Sequence, residues 1–252
     1  MKTKILGEGE PEHAVMYCVH GNEPCGKLAV DRIIHEKLNF QKPVKLVFAN
    51  EKAFNKGVSE VHEDLNRVWH SNSRETHEKK LEEKIRKEIK GLKVLDLHSS
   101  FSHPEAFGLN TKNSSQIDRQ IAKLGLKQTA DISHVYDYRL ENVERTAVEC
   151  GYTRTQKTIE NAYRIIKNYL KANNIITGRP ETRQPDKYKI YDKVEGEDYQ
   201  FIKKNFQKIK KGEKYAIKGE KKLKAGEDFY PVMMSTTGYD DIIGFKAEIL
   251  SS

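Results

Sequence analysis

The sequence is poor in cysteine and has no long apolar run. Its three cysteines, Cys18, Cys25 and Cys150, are odd in number and have no regular spacing, so they do not form a disulfide framework. No stretch approaches the roughly 18 apolar residues of a membrane span, and residues 1–4 are not followed by the apolar core of a signal peptide. We therefore expect a soluble cytoplasmic protein without a membrane partner.

Acidic residues are outnumbered by basic ones. There are 37 Asp and Glu against 45 Lys and Arg, which gives a net charge of +8 and favours anionic partners. The excess of lysine is spread along the chain and concentrated in residues 203–224. This distribution is more typical of solvated hairpin faces than of a nucleic-acid-binding stripe, although an anion-attracting rim around an active site is an alternative. We predict a small anionic partner rather than nucleic acid, and a homo-oligomer stays open.

Apolar periodicity predicts strands that alternate with helices over the first two thirds of the chain. Compact apolar runs predict the strands, and apolar residues three and four apart predict amphipathic helices. The polar stretch 50–69 is interpreted as a loop. The predicted strands are 14–19, 44–49, 93–98, 132–138 and 146–150, and the predicted helices are 26–38, 74–92, 115–125 and 155–172. This alternation predicts an α/β fold with an open mixed sheet flanked by helices.

The composition changes after Ile176. Residues 177–185 contain Gly and Pro between polar side chains and are typical of a linker. Beyond them, short alternating runs separated by glycines predict a small β-rich domain. We therefore predict an α/β domain over residues 1–176, a linker over 177–185 and a β-rich C-terminal domain over 186–252.

Three side chains point to a metal. His20 and Glu23 follow the first predicted strand, and His98 ends another, where ligands gather in open α/β sheets. Two histidines and one glutamate leave the fourth position of a tetrahedral zinc open for water, which is the catalytic arrangement. A His-x-x-Glu pair is common without a metal, and His98 alone is also explained as a polar residue at a strand end. Together the three favour a metal.

Three further residues could carry chemistry beside such a metal. Glu149 lies in a short apolar strand, where burial raises the proton affinity of a carboxylate toward that of a general base. A salt bridge at a strand edge is the structural alternative. Asn66 and Arg67 place an amide beside a guanidinium, a pair that can grip a carboxylate. A capping Asn beside a surface Arg is the alternative there.

These segments together resemble a known family. His-Gly-Asn-Glu at residues 20–23, Asp-Leu-Asn-Arg at 64–67, Asp-Leu-His at 96–98 and Glu149 occur in the order seen in the succinylglutamate desuccinylase/aspartoacylase family. That family is a branch of the zinc-carboxypeptidase-like fold, and the resemblance extends from about residue 14 to 245. It implies one zinc ion, a catalytic glutamate acting on the water that zinc binds, and a bound substrate carboxylate. The residues implied in these roles are His20, Glu23 and His98 for zinc, Glu149 for catalysis, and Asn66 and Arg67 for the carboxylate.

Two weaker matches extend the implied substrate site. Arg139, ten residues before Glu149, occupies the position of a substrate-binding arginine of the family. Tyr239 resembles a tyrosine that reaches over the active site from the C-terminal domain, so that domain is expected to cover the site. A core or turn aromatic is the alternative for Tyr239.

One position departs from the family pattern. Ser59 stands where the family has an arginine that polarises the scissile carbonyl, and a missing donor of this kind costs roughly 2.7–4 kcal/mol of transition-state stabilisation. Lys52, Lys56 or Arg145 could substitute. The resemblance implies a zinc-dependent deacylase of N-acyl amino acids. A metallocarboxypeptidase-like enzyme acting on short peptides and a degenerate relative that binds without turnover are the alternatives.

Overall fold

A large mixed sheet forms the framework of the protein. The computed structural model describes residues 1–68, 75–134, 143–237 and 241–250. The strands are β1 (Lys2–Leu6), β2 (His13–Tyr17), β3 (Val44–Phe48), β4 (Lys93–Ser100), β5 (Phe107–Asn110), β6 (Gln128–Asp131), β7 (Glu144–Tyr152), β8 (Asp186–Glu195), β9 (Gln200–Phe201), β10 (Lys214–Lys218), β11 (Lys221–Lys224), β12 (Tyr230–Val232) and β13 (Ile242–Leu250). The helices are α1 (Cys25–His35), α2 (Glu51–Lys56), α3 (Leu65–Val68), α4 (His77–Ile89), α5 (Ser115–Ala122) and α6 (Gln156–Ala172).

Ten strands form one sheet in the order β1-β3-β2-β4-β7-β5-β6-β8-β13-β12. The central strands β3, β2, β4 and β7 are parallel to one another, and all five residues of β2 are buried. Continuous apolar runs suit strands that are covered on both faces. The parallel arrangement brings the carboxyl ends of β2, β4 and β7 to the same edge.

Helices cover the two faces of the central strands unequally. Apolar side chains of α1, α5 and α6 pack against one face of β2, β4 and β7. On the other face, α3 and α4 pack against β2, β3 and the start of β4. Toward β7 and β5 this second face becomes the floor of a cleft.

The C-terminal strands continue the large sheet. β8 pairs in parallel with β6, and β13 joins β8 to β12 through antiparallel pairing. β9, β10 and β11 form a separate three-stranded antiparallel sheet. Apolar residues of β5, β7, β8 and β13 share one cluster. The predicted fold, an open mixed sheet flanked by helices with a small β-rich C-terminal part, is confirmed, whereas the domain boundaries stay a prediction.

The element predictions fail where short or exposed segments lack a clear apolar repeat. Residues 50–69 are not simply a loop, because they contain α2 and α3. β1, which is mostly exposed at the sheet edge, and the four-residue β5 were not predicted. Residues 132–134 of the strand predicted at 132–138 are not in a strand, because β6 ends at Asp131. Residues 135–138 lie outside the described part of the chain.

No helix within the described ranges has both the length and the apolar composition needed to cross a bilayer.

A buried histidine ties the start of β2 to α6. His13 Nδ1 lies 3.0 Å from the hydroxyl of Tyr169, which in turn donates to the carbonyl oxygen of Lys93 at 2.8 Å. Burial, reinforced by the charge of Lys93, lowers the pKa of His13 to about 4. Between about pH 4 and pH 6.5, His13 is therefore protonated in the unfolded chain but neutral in the folded protein.

We expect this histidine to make folding stability depend on pH. Since the folded-state pKa is depressed, stability falls as the pH drops from about 6.5 toward about 4. His13→Gln should reduce the loss of unfolding free energy between pH 7 and pH 5 by up to about 2 kcal/mol. Urea denaturation at both pH values measures it, with His35→Gln, an exposed histidine of α1, as control. An unchanged pH dependence in His13→Gln would contradict the assignment.

Candidate metal centre and cleft

The candidate metal centre lies at the carboxyl ends of two neighbouring parallel strands. β2 ends at Tyr17 and leads after a short turn to His20, while His98 lies near the end of β4. Glu23 follows His20 by three residues and is followed by Pro24, the N-cap residue of α1. Pairing of β2 with β4 therefore brings together residues that are far apart in the sequence.

Glu23 holds the two imidazoles together. Its Oε1 lies 2.8 Å from His20 Nδ1, and its Oε2 lies 3.3 Å from His98 Nδ1. The backbone N–H of Ser99 also donates to Oε2 at 3.0 Å. One carboxylate thus contacts both histidines through the ring nitrogens that face each other.

The three side chains have the donors and the charge that suit a divalent cation. A ligand atom from each of His20, Glu23 and His98 lies within 4.8 Å of the other two. Burial disfavours charge here, but the carboxylates of Glu23 and Asp64 raise the pKa of His20 to about 10. Burial likewise opposes charge on His98, and Asp96 and Glu23 raise its pKa well above the ordinary value. The surrounding carboxylates thus favour positive charge on both imidazoles. One divalent ion would carry the same charge as the two protons that these rings bind.

Two further carboxylates hold the outer ring nitrogens. Asp64 Oδ1 lies 3.1 Å from His20 Nε2, and Asp96 Oδ2 lies 3.0 Å from His98 Nε2. Outer carboxylates of this kind fix the orientation and tautomer of ligating histidines. Both residues belong to motifs recognised in the sequence, but these contacts were not predicted. The i, i+2 spacing of Asp96 and His98 on a strand was the available signal, because it places both side chains on one face.

Glu78 holds in place the segment that precedes Asp64, and it was not predicted from the sequence. This fully buried residue in the first turn of α4 accepts hydrogen bonds from the backbone N–H of Val61 at 2.8 Å and of His62 at 3.1 Å. The side chain of Asn50 donates to the same carboxylate at 3.1 Å. Burial opposes ionisation, but these three donors lower the pKa of Glu78. The ionised side chain thus anchors the segment that leads to Asp64.

Gly21 is required by close packing. A Cβ at this position would overlap the backbone of Ala53 and Phe54 in α2 and would lie 2.7 Å from Ala53 Cβ. Its N–H donates to the carbonyl oxygen of Ser59 at 2.8 Å. The described glycines with positive φ do not include Gly21, so tight contact with α2, rather than a left-handed turn, explains the glycine.

A cleft of about 770 Å³ opens over the three candidate metal ligands. Arg145, Ala147 and Glu149 line it from one face of β7, since alternate residues of a strand point the same way. Oε2 of Glu149 is buried and has no hydrogen-bond partner among the described residues. Burial, with the charge of Glu23 adding to it, raises the pKa of Glu149 to about 7 although His98 acts in the opposite direction.

Asn66 and Arg67 lie on the side of the cleft formed by α3. Asn66 Nδ2 is 3.3 Å from His20 Nε2, and its backbone N–H donates to Asp64 Oδ1 at 2.7 Å. Arg67 Nη1 lies 3.6 Å from Asp64 Oδ2 with the guanidinium partly exposed. Both residues line the cleft. Arg139 and Tyr239 lie outside the described residues.

The substitutes proposed for the arginine missing at Ser59 are not equally placed. Ser59 lines the cleft, whereas Lys52 and Lys56 of α2 are exposed and do not line it. Arg145 lines the cleft, but its Nε lies 3.0 Å from Asp96 Oδ2, on the side of His98 opposite to Glu23. Its guanidinium is therefore not beside the facing ligand nitrogens. Of these three residues, only Arg145 lines the cleft, and it approaches the candidate ligands from the far side of His98.

The fold resembles those of several solved structures. A structure of a succinylglutamate desuccinylase/aspartoacylase from Rhodobacter sphaeroides matches with a TM-score of 0.78 and 16% identity, covering 98% of this chain and 89% of that one. The product-bound ectoine utilization protein EutE (DoeB) from Ruegeria pomeroyi matches with 0.76 and 14%, covering 98% and 87%. Murine aminoacylase 3 matches with 0.69 and 15%, covering 96% and 97%. At this level of identity the structures show that the protein has the aspartoacylase fold.

The sequence identifies the family. The model of the succinylglutamate desuccinylase/aspartoacylase catalytic domain matches residues 10–145, more than half of the chain. The protein therefore belongs to this family of amidohydrolases, which remove acyl groups from N-acyl amino acids. No curated protein sequence matches the chain. The matched segment contains His20, Glu23 and His98 and ends four residues before Glu149.

We expect Gly21→Ala to disrupt the candidate metal centre. The new methyl group must displace α2 or the turn that carries His20, and overpacking of this kind costs about 1–3 kcal/mol or more. Thermal unfolding and binding of Zn²⁺ in competition with a chromophoric chelator measure both effects. Gly226→Ala is the control, because a Cβ there meets nothing within 4 Å. Unchanged Zn²⁺ affinity in Gly21→Ala would contradict the role of this packing.

Proposed function

We propose that the protein is a zinc-dependent deacylase that hydrolyses the amide bond of a small N-acyl amino acid. The observation that carries the proposal is the convergence of His20, Glu23 and His98 beside Glu149, whose carboxylate has a buried oxygen without a partner among the described residues. Family membership supports the same reaction class. The volume of the cleft is in the range of sites for small molecules.

His20, Glu23 and His98 are the proposed ligands of one zinc ion. Two imidazoles and one carboxylate are a donor set found in catalytic zinc sites, with a position left for water or substrate. When bound, zinc polarises a carbonyl and lowers the pKa of water. Asp64 and Asp96 would fix the two rings by contacting Nε2 of His20 and Nε2 of His98. Nδ1 of each ring, which faces Glu23, would then be the nitrogen available to the ion.

Glu149 is the proposed general base. A carboxylate whose pKa is about 7 is ionised in a substantial fraction of molecules at neutral pH and still binds a proton strongly enough to take one. It would accept a proton from the attacking water at its free oxygen and then donate that proton to the leaving amine. The cleavage products are a carboxylic acid and an amino acid.

Asn66 and Arg67 are the proposed carboxylate site. They lie on the α3 side of the cleft, next to His20, where Arg67 offers a partly exposed guanidinium. Arg139 and Tyr239 remain proposed substrate contacts on the basis of the family resemblance. Met233, Ser235 and Asp241 also line the cleft, which supports the proposal that residues 186–252 cover the active site.

The first test is a substrate panel. We expect the zinc-loaded protein to release amine from N-acyl amino acids and to leave dipeptides uncleaved, and we expect removal of the metal to abolish turnover. Amine release and metal content measured on the same preparations test this expectation. Cleavage of peptides alone would favour a carboxypeptidase-like enzyme. Bound metal without any turnover would favour a ligand-binding relative.

The second test separates catalysis from metal binding. Glu149→Gln should lower kcat about 10³-fold, because an amide cannot accept the proton from water, while Zn²⁺ affinity changes little. Glu83→Gln, a matched change at an exposed position of α4, should behave as the native protein. If Glu149→Gln keeps more than a tenth of the native kcat, Glu149 is not the general base.

A further inference from the structure

Arg145 is a buried cation at the floor of the cleft. It lies on β7, four residues before Glu149 and on the same face, and only 4% of its surface is exposed. Four residues of strand span roughly 13 Å, so the Cα atom of Arg145 lies about that distance from the Cα atom of Glu149, toward the amino end of β7. Its backbone is therefore distant from the strand ends that carry His98 and Glu149, and only its side chain approaches them, through Asp96.

The guanidinium of Arg145 is only partly satisfied. Its Nε lies 3.0 Å from Asp96 Oδ2, but the atoms are not aligned for a hydrogen bond, and Oδ2 is already the partner of His98. Its Nη1 is buried and has no hydrogen-bond partner among the described residues. The charge is thus compensated by Asp96, but burying the N–H groups of a guanidinium without a hydrogen bond is costly. A guanidinium that lines a cleft in this state is suited to an anionic group of a ligand.

The position of Arg145 indicates which part of a substrate it would meet. Asn66 and Arg67 lie on the β2 side of the metal ligands, whereas Arg145 lies on the β7 side. If the amino-acid carboxylate is held by Asn66 and Arg67, the acyl group extends toward Arg145. Ala147 lies between Glu149 and Arg145 on the cleft-lining face of β7, and Leu109 of β5 is paired with Ala147, so apolar side chains that suit methylene groups line this part of the cleft. Its lining residues there are Leu109, Ile132 and Ala147.

We propose that Arg145 forms a separate carboxylate subsite that selects acyl groups with a terminal carboxylate. This inference rests on the deacylase function proposed above and specifies its acyl group. Asp96 lies two residues before His98, about 7 Å along β4, so the guanidinium beside it is within reach of a short ω-carboxyacyl chain whose carbonyl is at the metal centre. Arg145 is a specificity-determining residue in this scheme and takes no part in proton transfer.

The native protein gives the first test. Substrates with one constant amino acid and N-succinyl, N-butyryl or N-acetyl groups differ only in the acyl part, and butyryl matches succinyl in chain length without the charge. We expect kcat/KM to be at least about 30-fold higher for succinyl than for butyryl, the range for one charge-assisted hydrogen bond. Succinate should also inhibit the reaction more strongly than butyrate. Equal values for succinyl and butyryl would overturn the subsite, and turnover of none of the three would contradict the deacylase function itself.

Substitution of Arg145 gives the second test. Arg145→Met should remove the preference for succinyl over butyryl, and Arg145→Lys should retain part of it, because a lysine keeps the charge but not the planar fork. The preference is a ratio within one variant, so a general loss of stability or of metal does not move it. Zn²⁺ content is measured alongside, and Arg119→Met, an exposed arginine of α5, is the control. A preference that persists in Arg145→Met would overturn the proposal.

An acidic amino acid could offer its side-chain carboxylate to the same guanidinium. N-butyryl-aspartate and N-butyryl-asparagine test this alternative. Their acyl group is the same and uncharged, so they differ only in the charge of the amino-acid side chain. We expect Arg145→Met to leave the ratio between these two substrates as it is in the native protein. A ratio that collapses in Arg145→Met would assign Arg145 to the amino-acid side chain and overturn the acyl subsite.

Discussion

The contact of one carboxylate with two imidazoles determines the rest of the site. Glu23 lies between His20 and His98, and the N–H of Ser99 fixes one of its oxygens. This arrangement requires β2 and β4 to be parallel neighbours, because only then do the end of one strand and the turn after the other meet. Glu23 is also held close to the start of α1, because only Pro24, the N-cap residue, separates it from Cys25. The central sheet can be understood as the frame that keeps these three side chains together.

The charges around this contact are arranged in alternating layers. The imidazoles are flanked by Asp64 and Asp96, and Asp96 is flanked in turn by Arg145. Each layer compensates the burial cost of the one before it, which is how buried charges are tolerated in proteins. The layers end differently on the two sides. On the α3 side Arg67 reaches solvent, whereas on the β7 side Arg145 is enclosed.

Much of the fold, and the grouping of the three candidate metal ligands, could be predicted from the sequence. Buried parallel strands are continuous apolar runs, and the ligands follow such runs, so local patterns were sufficient for β2, β4 and their histidines. α2 escaped prediction because a six-residue helix has too few turns for an apolar repeat, although Asn50 caps it and Gly57 ends it in a left-handed conformation. The reason for Gly21 could not be found, because its neighbour in α2 is more than thirty residues away.

The unbroken hydrogen-bonded ladder from β1 to β12 has a mechanical consequence. β6 pairs with β8, so the strand that begins the C-terminal region is bonded into the same sheet as β7 and Glu149. A rigid rotation of the C-terminal strands away from the cleft would have to break that ladder. Substrate exchange should therefore depend on the bending of connecting segments at the cleft rim. A twist of the C-terminal edge of the sheet would also be felt at β7, the strand that carries the proposed base.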